Sequence, residues 1–250
     1  MKPITFFASV LVILLSAPAA WALSEKPPAQ VFPIAANGRI SVDNVNGNVT
    51  LEAWDRSEVS IEATKSGKTD AEIKGLEIHV EAKPDWIDIE TRYPQSGWFG
   101  SSGGSVDYVI KMPAGLTVDT VQLVNGNLVM HGITGTTKAE SVNGTITVAD
   151  LSGDASLETV NGTIDAGFAR IDRGQSLAFE SVNGSINIHV PASADADVSV
   201  ETVNGRVSQD LGLDEDKGQF VGSTVKGRLG SGGARLSIET VNGSVTLERQ

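Results

Sequence analysis

The sequence predicts an all-β protein, a parallel β-solenoid (β-helix-like) repeat with an N-terminal β cap, and three observations predict it. The first is a Val-Asn-Gly phrase that begins at Val45, Val124, Val142, Val160, Val182, Val203 and Val241, with a degenerate copy at Val225, Lys226 and Gly227. From Val124 onward the steps are 18, 18, 22, 21, 22 and 16 residues, a period that belongs to solenoid or strand-repeat architecture. The second is an aliphatic column four residues after the Val: Leu128, Ile146, Ile164, Ile186, Val207, Leu229 and Val245. The third is a change of parity at the phrase. Odd offsets are apolar before it, as at Val121, Leu157, Phe179 and Ile238, and even offsets after it, so two short half-buried strands meet at a corner. Glycine at such a corner suggests a backbone conformation closed to other residues.

An antiparallel β meander satisfies the same parity, because Asn-Gly is also the strongest short hairpin signal. The solenoid is favoured because near-identical phrases gain most when equivalent positions stack as neighbours about 4.8 Å apart. Asn125, Asn143, Asn161, Asn183, Asn204 and Asn242 then form a side-chain amide ladder along one corner. Seven coils make a rod about 30 Å long.

Along the chain, residues 1–22 have the order of a secretory signal peptide. Met1 and Lys2 give a basic start, Phe6 to Leu15 an apolar run, and Ala20, Trp21 and Ala22 a small-x-small cleavage site. The run is too short for a spanning helix and no later stretch is long enough, so no transmembrane segment is expected after cleavage. Residues 23–30, with Pro27 and Pro28, read as a linker. Residues 31–115 read as a β-rich cap with diverged repeat: candidate strands run through Ile40, Val49, Val59, Leu76 to Val80, Trp86 to Ile89 and Val106 to Met112. Within them, Arg39 to Glu52 (RISVDNVNGNVTLE) matches Arg235 to Glu248 (RLSIETVNGSVTLE) at nine of fourteen positions. A cap is needed because an open solenoid end exposes unpaired strand edges. Residues 116–250 are the repeat itself.

Composition narrows the function classes. With 19 basic against 31 acidic residues, the formal net charge of -12 excludes a basic footprint for nucleic acid. The absence of cysteine excludes disulfides, thiolate metal sites and thiol nucleophiles. His79, His131 and His189 lie far apart with no metal-ligand spacing.

The early VDNVNGNVTLEAWDRSEVSIEATKSG, the VDYVIKMPAGLTV segment, the ETVNG and SVNG repeats and the closing LGSGGARLSIETVNGSVTL resemble the bacterial DUF4097 family of β-strand-repeat proteins, which carry the label adhesin. The resemblance runs from about Phe32 to the C-terminus. It implies an extracytoplasmic β-solenoid-like domain and brings no catalytic residues with it.

Two candidate sites follow from the residues. Two positions before the repeat Val stand Glu140, Glu158, Glu180 and Glu201, with Glu239 and Asp43 in the last and first copies. Stacked in parallel coils these carboxylates form a row about 5 Å apart, which weak Ca²⁺ binding or a basic ligand would bridge. The competing reading is a solvated acidic face. The second candidate is the loop YPQSGWFGSSGGS, where Tyr93, Trp98 and Phe99 could stack on a sugar or partner, or plug the solenoid end. No cofactor is expected. The expected function is a non-catalytic, exported scaffold or adhesin-like binding protein of the cell envelope, periplasmic or secreted, whose partner is an envelope glycan, peptide or protein. An envelope-stress ligand sensor and a polysaccharide-active β-helix enzyme are the alternatives. The enzyme needs a converging acid/base pair, for which only Asp150, Asp154 and Asp165 lie near one another in sequence.

Overall fold

A computed structural model describes residues 23–94, 103–217 and 222–250. In chain order the elements begin with β1 (Leu23–Glu25), β2 (Gln30–Pro33), β3 (Arg39–Asn46), β4 (Val49–Trp54), β5 (Glu58–Gly67), α1 (Asp70–Gly75), β6 (Glu77–Lys83), β7 (Trp86–Arg92) and β8 (Ser105–Pro113). The repeat region supplies β9 (Thr117–Asn125), β10 (Leu128–His131), β11 (Thr137–Asn143), β12 (Ile146–Leu151), β13 (Ala155–Asn161), β14 (Ile164–Phe168), β15 (Ser176–Asn183) and β16 (Ile186–Val190). It closes with β17 (Ala196–Asn204), β18 (Val207–Gln209), β19 (Asp214–Lys217), β20 (Ser223–Leu229), β21 (Ala234–Asn242) and β22 (Val245–Arg249). The expected strands of the N-terminal region are all present. The expected linker contributes β1, which pairs antiparallel with β5, Leu23 opposite Gly67. One short helix, α1, was not expected; Thr69 caps it by accepting from the Glu72 N–H (3.2 Å), and Ile73 is its buried contact.

The strands form two mixed sheets. One runs β1-β5-β8-β4-β10-β12-β14-β16-β22-β18, with β2 also on β5, and the other β19-β20-β17-β21-β15-β13-β11-β9-β3-β7-β6. The repeat strands pair in parallel, so each Val-Asn-Gly joins a strand of the second sheet to one of the first. A meander would pair β9 with β10. Instead β9 pairs with β3 and β11, and the solenoid reading holds. Antiparallel strands close the ends: β6 on β7, β5 on β8, and β20 with β19 on β17.

Parity at the corner sets the core. Val121, Ala139, Leu157, Phe179, Ile238 and Val200 face inward from the second sheet, and Leu128, Ile146, Ile164, Ile186, Val245 and Val207 from the first. Phe168 and Phe179 meet edge to face across the interior, ring centroids 6.0 Å apart. This layer of aliphatic side chains, buried on both sheets, is the dominant stabilising term.

The order of coils departs from the order of the chain. After β15–β16 the polypeptide leaves one position vacant, builds β17–β18, caps it with β20 and β19, and returns to fill the gap with β21–β22. The Val225 copy is therefore no corner: Val225 lies opposite Val200 in the antiparallel β17–β20 pair. Its place in the seven-coil stack is taken by the Val45 copy, whose β3 pairs in parallel with β9.

Candidate binding groove

The corner fixes the geometry of everything beside it. A Cβ on Gly126, Gly144, Gly162, Gly184 or Gly243 would lie within 1.9 Å of the neighbouring corner glycine's carbonyl oxygen, so only glycine lets the coils stack. Of the corner glycines only Gly47, at φ +122°, needs the conformation expected for all of them. The neighbouring asparagines form an unbroken amide chain. Asn204 Nδ2 donates to Asn242 Oδ1 (2.9 Å), Asn242 to Asn183 (2.9 Å), Asn183 to Asn161 (3.1 Å) and Asn161 to Asn143 (3.0 Å). Asn143 then donates to Asn125 (3.0 Å) and Asn125 to Asn46 (2.9 Å). The order differs from expectation in two places: Asn242 stands between Asn183 and Asn204, and Asn46 ends the chain. These amides are solvent-facing along the repeat, so they tie coils together rather than satisfy a buried layer.

Two columns run parallel to this ladder on the outer face of the second sheet. Register places Glu140 beside Glu158, Glu158 beside Glu180, Glu180 beside Glu239 and Glu239 beside Glu201. Gln122 separates Glu140 from Asp43. Within this row Lys138 Nζ reaches Glu140 Oε1 at 2.8 Å. That contact raises the Lys138 pKa, through its hydrogen bond first and its charge second. Farther along, partial burial first, then the charges of Glu158 and Glu239, raise the Glu180 carboxyl above its ordinary value. Asp43 is raised in the same way, by burial and then by Glu90.

Two residues beyond each carboxylate, on the same face, stands the Val of the phrase. Val124, Val142, Val160, Val182, Val241 and Val203 are between 38% and 50% exposed and make up most of the exposed large hydrophobic residues described. Sequence reasoning used these valines only to mark phase. The signal was present, since a residue two after an outward Glu must itself face outward. Between the columns Ser141, Thr159, Ser181, Thr240 and Thr202 turn inward and are buried. Thr202, Thr240 and Thr159 hydroxyls lie 3.1, 3.3 and 3.4 Å from a corner carbonyl of the adjoining coil. Ser141 Oγ is the one buried side-chain polar atom without a partner among the described residues. Carboxylates and valines together line a groove of about 770 Å³ that crosses the stack from Asp43 to Glu201.

The other expected site residues are dispersed. Tyr93 is half-buried against the core, and its hydroxyl accepts from the Asn46 N–H (2.8 Å) and lies 3.0 Å from Asn44 Oδ1, so it braces the first corner. Trp98 and Phe99 lie outside the described residues. Asp150 meets His131 at 2.9 Å, Asp165 meets His189 at 3.5 Å, and Asp154 accepts from the Ser176 N–H at 2.9 Å. Each of these carboxylates has its own partner. Among the described residues no three His, Asp or Glu side chains converge as a metal-holding group, and no helix is long and apolar enough to cross a membrane.

Fold and groove together define a two-sheet β-repeat protein with a ligand-sized furrow along its coils. The family model Toastrack DUF4097 matches residues 40–248, and the chain belongs to that family. Among solved structures it is similar to a candidate cell adhesion protein from Clostridium sporogenes, at 12% identity and TM-score 0.52, covering 91% of this chain and 100% of that one. A candidate adhesin from Bacteroides fragilis matches at 10% identity and TM-score 0.30, covering 93% and 99% of the two chains. No curated protein matches the sequence.

Proposed function

We propose that this protein is a non-catalytic, exported β-repeat scaffold of the cell envelope, periplasmic or secreted, that binds an elongated partner along the Val–Glu groove. The observation that carries this reading is the pairing of an exposed apolar column with a carboxylate row in one continuous furrow. Exposed apolar ridges of this length are uncommon on a monomer unless they meet something. A row of neighbouring carboxylates at strand spacing is self-repelling and gains most from a cationic partner. Such a partner is favoured over Ca²⁺, which requires six to eight oxygens arranged around one point rather than along a line. Export rests on the leader-like residues 1–22. The neighbours' adhesin description is compatible with partner binding.

The test is a thermal-shift screen of the purified protein against envelope glycans, cationic peptides and Ca²⁺. A saturable shift that is lost in a Glu158→Gln, Glu180→Gln, Glu239→Gln variant supports the groove. A shift that survives those changes places binding elsewhere on the molecule, and no shift from a cooperatively melting protein removes the binding role.

A further inference from the structure

Granted the groove as the binding site, we infer that its occupant is a cationic amphipathic α-helix lying along the stack, perpendicular to the strands. The strands beneath the groove offer no backbone to a ligand. β9, β11, β13, β15 and β21 are each hydrogen-bonded on both sides, so an extended peptide laid across them could not add as a strand. Its own N–H and C=O groups would lie unpaired against valine methyls. A helix satisfies its backbone internally and presents only side chains.

Spacing agrees with this choice. Carboxylates and valines recur every 4.8 Å or so along the groove, and a helix repeats every 5.4 Å, a mismatch of about 0.6 Å per turn. Over about five turns the drift is roughly 3 Å, which a Lys or Arg side chain absorbs. An extended chain presents same-face residues about 6.7 Å apart and loses register within two steps. The two columns sit two strand residues apart, about 6.7 Å, so adjacent apolar and basic stripes on one helix can meet both. The groove spans roughly 29 Å, the length of about 19 helical residues.

Charge selects among other occupants. A second copy of this chain would set carboxylate row against carboxylate row, on a molecule already at -12.

The test uses two synthetic peptides of the same Leu and Lys composition, about 20 residues long, one patterned with helical period and one strictly alternating. Affinity for the purified protein is measured by calorimetry and peptide helicity by circular dichroism. The helical pattern is expected to bind about tenfold or more tightly than the alternating one and to gain helix on binding. The Glu158→Gln, Glu180→Gln, Glu239→Gln variant and a Val160→Thr, Val182→Thr variant should each weaken it about tenfold while still melting cooperatively. Equal affinity for both peptides, lost in both variants, overturns the helix and leaves the groove standing. Binding indifferent to both variants overturns the helix and the groove together. If neither peptide binds, the helix is wrong and the groove is judged on the glycan and Ca²⁺ arms of the broader screen.

Discussion

At every corner but the first, the limiting approach is between a glycine Cα and the carbonyl of the glycine in the adjoining coil; at Gly47 the carbonyl is that of Val106. An alanine at Gly162 would set its Cβ 1.9 Å from Gly144 O, backbone against backbone, with no side chain to move aside. Gly162→Ala should cost about 3 kcal/mol or more, at the upper end for overpacking, as read from the urea midpoint. Gly115→Ala is the control: its Cβ meets only Thr134 Oγ1, at 4.0 Å, and the change should fall within about 1 kcal/mol of neutral. Equal losses at the two positions would mean that stacking is not what keeps the corner glycine. The amide chain is worth less per link. Asn161→Ala removes one donor and one acceptor in solvent and should cost about 0.5 to 1.5 kcal/mol, with no change in melting temperature implying that water replaces the ladder without loss. The glycine column was visible in the sequence, but its reason was not. Local turn chemistry suggests a special φ, whereas the constraint comes from a carbonyl 18 or more residues away, which no local rule reports.

At the scale of a strand, the carboxylate row works against the element that carries it. Burial and the flanking Glu158 and Glu239 raise the Glu180 pKa in the folded state. A raised carboxyl contributes stability that is fully present below its unfolded pKa and is lost as pH rises through its folded pKa. Near neutral pH the ionised Glu180 therefore opposes folding. Glu180→Gln should raise the melting temperature at about pH 7, with the gain shrinking towards zero below about pH 4. A lower melting temperature at neutral pH would mean that the carboxylate has a stabilising contact of its own. Parity makes this row legible in the sequence, because alternation assigns Glu140, Glu158 and Glu180 to the outer face. The valines beside them obey the same parity, yet hydrophobic residues in a strand repeat are ordinarily assigned to the core. Their exposure follows from the outward Glu two residues before each, and the inward side is filled instead by Leu157, Phe179 and their equivalents.

At the scale of the whole molecule, the repeat's uniformity conceals its assembly order. Every Val-Asn-Gly coil offers the same ladder and the same inward columns, so periodicity alone allows any coil to adjoin any other. Specific contacts at the 230–233 turn place β21–β22 between β15–β16 and β17–β18. On one side Asp195 Oδ1 accepts from the Ser231 N–H (2.6 Å) and Asp197 Oδ2 from the Gly233 N–H (3.2 Å). On the other, Arg173 Nε donates to Gly232 O (3.3 Å) and the Gly174 N–H to Gly233 O (3.0 Å). Gly230, Gly232 and Gly233 all take positive φ, which the tight return of the chain requires. The last coil in the chain is thus an interior one in the stack. Removing residues 234–250 from a stack built in chain order would merely shorten it. Here it strips β18 of β22, its one sheet partner among the described residues, and leaves β17 paired with β20 alone. Hydrogen exchange on the truncated chain should show β17, β18 and β20 losing protection together while residues 117–190 keep theirs. If β17, β18 and β20 stayed protected, β17–β18 would have moved down onto β15–β16, and the order of coils would be set by the repeat rather than by the 230–233 turn.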